Sequence, residues 1–269
     1  MRRRRGTTVL ALATALPVAL GLAAATVTPA GARPEAGARP EAGRRAATIT
    51  VSAAASLTEA FTRIGSRFER RHPTATVTFN FGSSATLVTQ IGSGAPADVV
   101  ATADLASMDR LVADGRVTAT PVPFARNRMV IAVKPGNPER VRSVADLADV
   151  GVVALCGAAV PCGIYAASVL RKAGVTVPES RVTRGADART TLGAVARGDA
   201  VAALVYVSDV VAAGRTVTAV AVPDADNVVA VYPIAPVAGG AGRTARAFVD
   251  FVTGPEGQRI LAASGFLPA

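Results

Sequence analysis

Short apolar runs alternate with amphipathic stretches along the chain from residue 48 onward. Residues 48–52 alternate between polar and apolar side chains, which predicts a β-strand. Glu59 lies three positions after Ser56, and apolar residues then recur with helical spacing at positions 60, 61, 64 and 68. A Ser followed three residues later by Glu is typical of a capping box, so we expect Ser56 to open the first helix.

The order of strand, turn and helix then repeats. We predict strands at 77–81, 98–101, 129–133, 151–155 and 202–206, and helices from 83 or 84 and at 105–114, 163–173, 188–197, 244–252 and 255–264. No long structureless segment separates these elements. Alternating strands and helices are typical of a parallel sheet, so the sequence predicts two similar α/β lobes.

The first 47 residues have a different composition. A cluster of arginines at 2–5, an apolar stretch at 7–28 and a small-residue cleavage pattern at 30–32 predict an export signal at 1–32. An uncleaved membrane anchor is the alternative. The repeated RPEAGA and RPEAGR runs predict a flexible tether at 33–47. We therefore expect an exported protein on the periplasmic side or the outer face of the cell membrane.

The net charge of +10 raises the question of nucleic-acid binding. Eight arginines and only two glutamates lie in residues 1–47, so these residues carry +6 and the rest of the chain about +4. The remaining arginines form no stripe, and few aromatic residues are present to stack on bases. The charge distribution therefore argues against nucleic-acid binding.

Residues suited to catalysis or metal binding are scarce. His72 is the single histidine, and it follows two arginines at the predicted end of a helix. A Ser–His–acid triad would need this residue, and the sequence has no G-x-S-x-G motif. A metal site built from His and Cys lacks ligands for the same reason. We expect a protein that is not an enzyme and that holds no cofactor or metal.

Cys156 and Cys162 are the only cysteines, and they enclose five residues. In an exported protein such a pair is typical of a disulfide that closes a small loop. Two buried thiols are the alternative.

Several predicted helices begin at small or hydroxyl residues directly after a strand, at Ser56, at Ser83 and Ser84, at Cys162, and at Asp187 and Ala188. The first N–H groups of a helix have no partner within it and carry partial positive charge. Helix starts that meet in one cleft would form an anion site without lysine or arginine. Each start taken alone is equally consistent with an ordinary cap.

Five runs of residues together resemble the periplasmic molybdate-binding proteins of ABC importers, in order and spacing, over nearly the whole chain from residue 48. They are AAASL at 53–57, FGSSATL at 81–87, GAPADV at 94–99, VPCGIY at 160–165 and VYVSD at 205–209. The resemblance implies a type II periplasmic-binding-protein fold, in which each lobe is a mostly parallel sheet flanked by helices. Two hinge crossings would lie near residues 127–128 and 231–232. Lobe 1 would then comprise 48–127 and 232–269, and lobe 2 would comprise 128–231.

The resemblance also implies a ligand site and a partner. A molybdate or tungstate oxyanion would be held by the hydroxyl and N–H groups of Ser56 and Ser84, the N–H groups of Cys162 and Ala188, and the hydroxyl of Tyr206. Relatives often have a third serine where this chain has Ala85, and alanine where it has Cys162. The protein would act as a monomer and deliver its ligand to an ABC transporter permease.

A fully deprotonated tetrahedral dianion accepts hydrogen bonds and donates none, so a set of donors suits molybdate, tungstate and sulfate. Protonated phosphate needs an acceptor, for which Asp187 is the nearest candidate, although its position favours an N-cap. A sulfate or phosphate binder is therefore the alternative within the same class. A ferric-ion binder is disfavoured because the tyrosines are not adjacent. A secreted serine hydrolase using Ser56 or Ser84 is the alternative from a different class.

Overall fold

A computed structural model describes residues 47–269 of the chain. Nine strands lie in this part: β1 (Ala47–Ala54), β2 (Ala75–Gly82), β3 (Val99–Ala101), β4 (Val122–Val133), β5 (Val153–Cys156), β6 (Val182–Gly185), β7 (Ala202–Tyr206), β8 (Thr218–Ala221) and β9 (Val229–Pro236). Eight α-helices accompany them: α1 (Thr58–Arg71), α2 (Ser84–Gly92), α3 (Leu105–Ala113), α4 (Pro161–Lys172), α5 (Ala188–Arg197), α6 (Val207–Ala213), α7 (Gly242–Thr253) and α8 (Pro255–Ala263). None of these helices is long and apolar enough to cross a membrane.

The predicted export signal at 1–32 lies outside the described residues, and so does nearly all of the predicted tether at 33–47. Ala47, the last residue assigned to that tether, is the first residue of β1 and pairs with Ala75. β1 therefore begins one residue before the position expected from the sequence pattern.

The strands form one mixed sheet in the order β2-β1-β3-β9-β4-β7-β5-β6, with β8 paired to β4. On one side, β1 runs parallel to β2 and β3. On the other side, β5 runs parallel to β6 and β7. Between the two parallel groups, β9 and β4 run antiparallel to their neighbours. The sheet thus contains two parallel groups joined through an antiparallel pair.

The antiparallel pair of β4 and β9 carries the chain between the two groups. Early in β4, Asn127 pairs with Ala230 and Arg128 with Val229 on β9. From Met129 onward β4 pairs instead with β7 and β8. The two predicted crossings, at 127–128 and 231–232, therefore lie side by side in these strands. The division into lobes at these residues stays a prediction.

Most predicted elements are present, and the differences follow local features. β4 begins at Val122 rather than at Met129, because its first half pairs with β9 despite Pro123 and the exposed Arg126. The sequence pattern missed β6, β8, β9 and α6. β6 and β8 have four residues each, and no residue in either is fully buried, so neither has a clear apolar pattern.

The predicted capping box at Ser56 and Glu59 is wrong. Ser56 lies in a short 3₁₀ turn, Ala55–Leu57, and α1 begins only at Thr58, with no side-chain cap at Leu57. The buried hydroxyl of Ser56 instead lies 3.0 Å from Tyr232 Oη, a residue on β9. The serine side chain is short, so a hydroxyl in contact with Tyr232 in the interior cannot also cap the start of α1.

Phenylalanine rings fill the core beneath the first parallel group. Phe61 on α1 is fully buried and packs against three rings at centroid distances of 5.8 to 6.3 Å, those of Phe79, Phe124 and Phe248. These rings join α1 to β2, β4 and α7. Aromatic pairs at such separations stabilise a fold beyond the area that they bury.

Replacing Phe61 with alanine should therefore leave a cavity between α1, β2 and α7. We expect Phe61→Ala to lower the free energy of unfolding by about 3–5 kcal/mol. The measurement is the urea midpoint followed by circular dichroism. Leu105→Ala is the control, because Leu105 is 47% exposed and its loss should shift the midpoint little. Equal shifts in the two variants would contradict the role assigned to the aromatic cluster.

Candidate functional site

The parallel strands end at one edge of the sheet, and the segments that follow them begin there. The last residues of β1 and β2, Ala54 and Gly82, are register partners, and so are the last residues of β5 and β6, Cys156 and Gly185. The 3₁₀ turn after β1 and the helices α2, α4 and α5 begin shortly after these ends. Ligands commonly bind outside the carboxyl ends of strands in open α/β sheets.

A small cavity lies among these turns. Its volume is about 220 Å³ including the space at its mouth, and its lining consists of Ala54, Ala55, Ser56, Gly82, Ser83, Ser84, Ala103, Pro161, Cys162, Asp187, Ala188 and Tyr206. The five residues predicted for the ligand site, Ser56, Ser84, Cys162, Ala188 and Tyr206, all line this one cavity.

Ser84 is the first residue of α2, and its side chain is buried at the cavity wall. The backbone N–H of Ala103 donates to Ser84 Oγ at 2.9 Å. The preceding residue, Ser83, caps the helix by accepting the N–H of Thr86 at 3.2 Å. Because Ser84 Oγ already accepts a hydrogen bond and is not needed as the cap, its own hydrogen remains to donate into the cavity.

Tyr206 ends β7 and is almost completely buried, yet its hydroxyl oxygen has no hydrogen-bond partner among residues 47–269. Burial, with smaller contributions from neighbouring groups, raises the pKa of Tyr206 well above its ordinary value. The hydroxyl therefore keeps its proton and acts as a donor. A buried hydroxyl without a partner costs about 1–3 kcal/mol, and a bound acceptor would remove that cost.

Cys156 and Cys162 form a disulfide, as the sequence predicts for an exported chain. It ties the end of β5 to the first turn of α4. The backbone is tight here, because a Cβ atom at Gly163 would overlap the carbonyl of Gly157. Gly163 and Ile164 both donate to Val160 O. Cys162 is the second residue of α4, where a helix offers its N–H group to the space in front of it.

Asp187 is the N-cap of α5, as its sequence position favours. Its Oδ1 accepts the N–H of Thr190 at 2.8 Å, and its own N–H donates to Thr190 Oγ1 at 3.1 Å. The carboxylate is therefore engaged by the helix that it caps. Ala188 follows as the first residue of α5, so its N–H group lies at the open start of the helix.

No lysine or arginine lines the cavity, and no group of three or more His, Cys, Asp or Glu side chains within residues 47–269 is arranged to hold a metal ion. The nearest cation on α5, Arg189, forms an ion pair with Glu59 in a neighbouring cavity. Among the described residues, the donors at the cavity are therefore N–H groups at helix starts, which carry partial positive charge, and hydroxyl hydrogens.

His72 lies far from the cavity. It follows the last residue of α1, a helix of 14 residues that begins beside Ser56, so about 20 Å separates the two ends. Its ring stacks on Phe68 at 4.3 Å. A histidine so placed cannot serve as a base for Ser56 or Ser84, which removes the support for a secreted serine hydrolase.

Residues 49–267 match the family model of bacterial extracellular solute-binding proteins. The chain belongs to this family. Proteins of this kind are binding components of transport, so this solute-binding protein is not an enzyme, and it acts outside the cytoplasm.

Several similar proteins carry the name molybdate-binding protein ModA. The one from Mycobacterium tuberculosis H37Rv is 42% identical over 223 residues, covering 82% of this chain and 85% of the relative. The one from Escherichia coli K12 is 33% identical over 227 residues, covering 81% and 88%. Both alignments span most of each protein, so the similarity includes both parallel groups of strands.

Solved structures share the fold at lower identity. The periplasmic molybdate-binding protein of Azotobacter vinelandii superposes with a TM-score of 0.74 at 21% identity, covering 82% of this chain and 99% of its own. The sulfate-binding protein SubI of M. tuberculosis gives a TM-score of 0.74 at 22% identity, covering 83% and 87%. These likenesses confirm the predicted two-lobed α/β architecture of periplasmic binding proteins.

The sequence pattern missed three groups that shape the cavity: the N–H of Ala103, the hydroxyl of Tyr232 and the carboxylate of Asp209. Tyr232 reaches Ser56 across 176 positions, and Ala103 reaches Ser84 across 19. Asp209 Oδ2 accepts the N–H of Tyr206 at 2.9 Å. The contacts of Tyr232 and Ala103 join separate elements, and no local motif marks them. Asp209 is different, because it is the N3 residue of α6 and lies only three positions from Tyr206.

The buried carboxyl of Asp209 should make stability depend on pH. Desolvation by burial raises its pKa from 3.8 to about 7, although the N–H of Tyr206 opposes the shift. The folded state then binds a proton that the unfolded chain releases, so this group's contribution to stability falls as the pH rises from about 4 to about 7. We expect Asp209→Asn to lose that contribution.

The measurement is the difference in Tm between the wild-type protein and Asp209→Asn across this pH range, because other titrating groups cancel in the difference. Wild-type Tm should fall relative to the variant up to about pH 7 and run parallel to it above. Parallel curves throughout would contradict the raised pKa.

The disulfide predicts an absence of reactive thiols. Titration of the unfolded, unreduced exported protein with a thiol reagent should detect none, because both cysteines of the chain are paired. Reduction before titration is the control and should reveal two. Detection of two thiols without reduction would show that the disulfide is absent from the exported protein.

Proposed function

We propose that this solute-binding protein captures molybdate or tungstate outside the cytoplasm and delivers the oxyanion to the permease of an ABC transporter, without a cofactor. The observation that carries the proposal is the buried hydroxyl of Tyr206, which has no hydrogen-bond partner within residues 47–269 and lies at the same cavity as the hydroxyl of Ser84. Relatives with 42% and 33% identity, named molybdate-binding proteins, support the choice of ligand.

The donors at the cavity match a ligand that only accepts. In this proposal, Ser56 and Ser84 bind through hydroxyl and N–H groups, Cys162 and Ala188 through N–H groups, and Tyr206 through its hydroxyl. Hydrogen bonds to a charged group contribute about 1.5–3 kcal/mol each. Several of them, with the partial charges of helix starts, stabilise a buried dianion without a cationic side chain.

Sulfate is the second candidate, since it too presents only acceptors and a sulfate-binding protein shares the fold. Hydrogen phosphate fits less well. It needs an acceptor at the site, and the carboxylate among the lining residues, Asp187, is held as the cap of α5 through the N–H of Thr190 on Oδ1, which leaves only Oδ2 to serve. The names of the more similar relatives favour molybdate over sulfate.

We further propose that the chain is an exported monomer whose signal at 1–32 and tether at 33–47 precede two lobes, 48–127 with 232–269 and 128–231. The cavity takes Ser56 and Ser84 from the first lobe and Cys162, Ala188 and Tyr206 from the second. The ion pair of Glu59 with Arg189 also joins the two. Lobes that close on a ligand in this way give the permease one conformation to recognise.

Titration calorimetry of residues 47–269 with molybdate, tungstate, sulfate and phosphate tests the ligand. We expect saturable one-to-one binding of molybdate and tungstate and no heat from phosphate. Calorimetry suits the protein because the chain has no tryptophan. Tight binding of sulfate without binding of molybdate would make sulfate the ligand. Absence of binding for all four oxyanions would contradict the proposed function.

Removing either side-chain donor should weaken molybdate binding. Ser84→Ala and Tyr206→Phe each remove one charge-assisted hydrogen bond, so we expect Kd to rise about tenfold to a hundredfold in each variant. Tyr165→Phe is the matched control, because Tyr165 packs against Tyr206 at 6.3 Å without lining the cavity. Thermal unfolding should show all three variants folded. Unchanged Kd in both test variants would mean that the site lies elsewhere.

A further inference from the structure

Tyr232 lies behind the cavity, in contact with Ser56. Its side chain is fully buried on β9, and its hydroxyl oxygen lies 3.0 Å from Ser56 Oγ. Tyr232 does not line the cavity, so it touches a ligand only through Ser56. Its ring packs edge to face against Phe124, Tyr206 and Phe266, which holds the hydroxyl in one place.

The hydrogen bond between these two hydroxyls has two possible directions. If Tyr232 donates, Ser56 Oγ accepts and the hydrogen of Ser56 is left for the ligand. If Ser56 donates to Tyr232, Ser56 turns a lone pair toward the cavity and offers an acceptor instead. The first direction suits an anion with acceptors only, whereas the second suits an oxyanion that carries a proton.

The surroundings of Tyr232 favour the first direction. Asn127 Oδ1 accepts the N–H of Arg128 at 2.9 Å, which fixes the orientation of the amide. The Asn127 Nδ2 group therefore faces inward, where it donates to Ser208 Oγ at 2.8 Å and also faces Tyr232. A neighbouring donor offers nothing to the hydrogen of Tyr232. Within residues 47–269, Ser56 Oγ is the one side-chain acceptor in hydrogen-bond contact with that hydroxyl.

Burial also raises the pKa of Tyr232, so its hydroxyl stays protonated. If Ser56 donated its own hydrogen to Tyr232, the hydrogen of Tyr232 would lose its acceptor in a dry interior. The cost of such an unsatisfied buried group corresponds to a factor of about five to a hundred in affinity.

We propose that Tyr232 is a specificity-determining positioning residue, which donates its hydrogen to Ser56 and thereby commits the Ser56 hydroxyl to donate to the ligand. A site of this kind accepts a fully deprotonated oxyanion and rejects one that must donate a proton, such as hydrogen phosphate. The inference rests on the proposed function, because it concerns the same cavity.

Tyr232→Phe tests the proposal, since it removes the hydroxyl and keeps the ring. Freed from Tyr232, Ser56 can accept from a protonated oxyanion as easily as it donates to a deprotonated one. We expect the ratio of the Kd for phosphate to the Kd for molybdate to fall at least about tenfold at neutral pH. Calorimetry gives the molybdate value, and competition by millimolar phosphate gives the other. Tyr165→Phe is the control and should leave the ratio unchanged.

A double-mutant cycle separates positioning from simple packing. In a Ser56→Ala background, Tyr232→Phe should no longer change the ratio, because the residue through which it acts is gone. Equal weakening of both anions by Tyr232→Phe, or the same loss of discrimination with and without Ser56, would overturn the proposal. Tm values of all variants serve to confirm folding.

The outcome for the wild-type protein distinguishes the two proposals. If the wild type binds sulfate and does not bind molybdate, the ligand assignment fails. The role of Tyr232 is then tested by the ratio of the Kd for phosphate to the Kd for sulfate. If the wild type binds hydrogen phosphate more tightly than either of these anions, the role assigned to Tyr232 is wrong. If the wild type binds no oxyanion, both proposals fall together.

Discussion

Parallel strands that end at one edge of a sheet force the segments that follow them to begin close together. In this protein β1 and β2 end in register, as do β5 and β6, and each is followed by a 3₁₀ turn or a helix. Every such start leaves N–H groups that the helix itself cannot satisfy. The cavity and its main-chain donors both depend on this geometry.

Side-chain hydroxyl groups add hydrogen-bond donors to those that the main chain supplies at the cavity. Ser84 and Tyr206 each reach the cavity with a hydrogen that no residue of the described chain accepts. Both side chains are held from behind, Ser84 by the N–H of Ala103 and Tyr206 by its packing among Tyr165 and Tyr232. Donors fixed in this way lose little entropy when a ligand arrives, which favours tight binding.

Much of this arrangement was predictable from the sequence. Strand and helix alternation predicted the α/β class, and the five residues expected at the site line one cavity. The exact bounds of α5 and β7 also agree. The failures have a common cause. The capping box at Ser56 followed a local rule, but a contact with Tyr232, 176 positions away, decided the role of that side chain. β9 and β6 are defined by their partners in the sheet, and no sequence window contains those partners.

Main-chain donors also make the proposed site tolerant of change. A side chain at Cys162 or Ala188 can be exchanged without removing the N–H group in front of the cavity, and in this chain position 162 is a half-cystine. Only proline removes such a donor. In the proposed site, recognition through backbone N–H groups therefore permits changes in the side chains of the cavity wall. The disulfide between β5 and α4 is such a feature, and it leaves the N–H group of Cys162 in place.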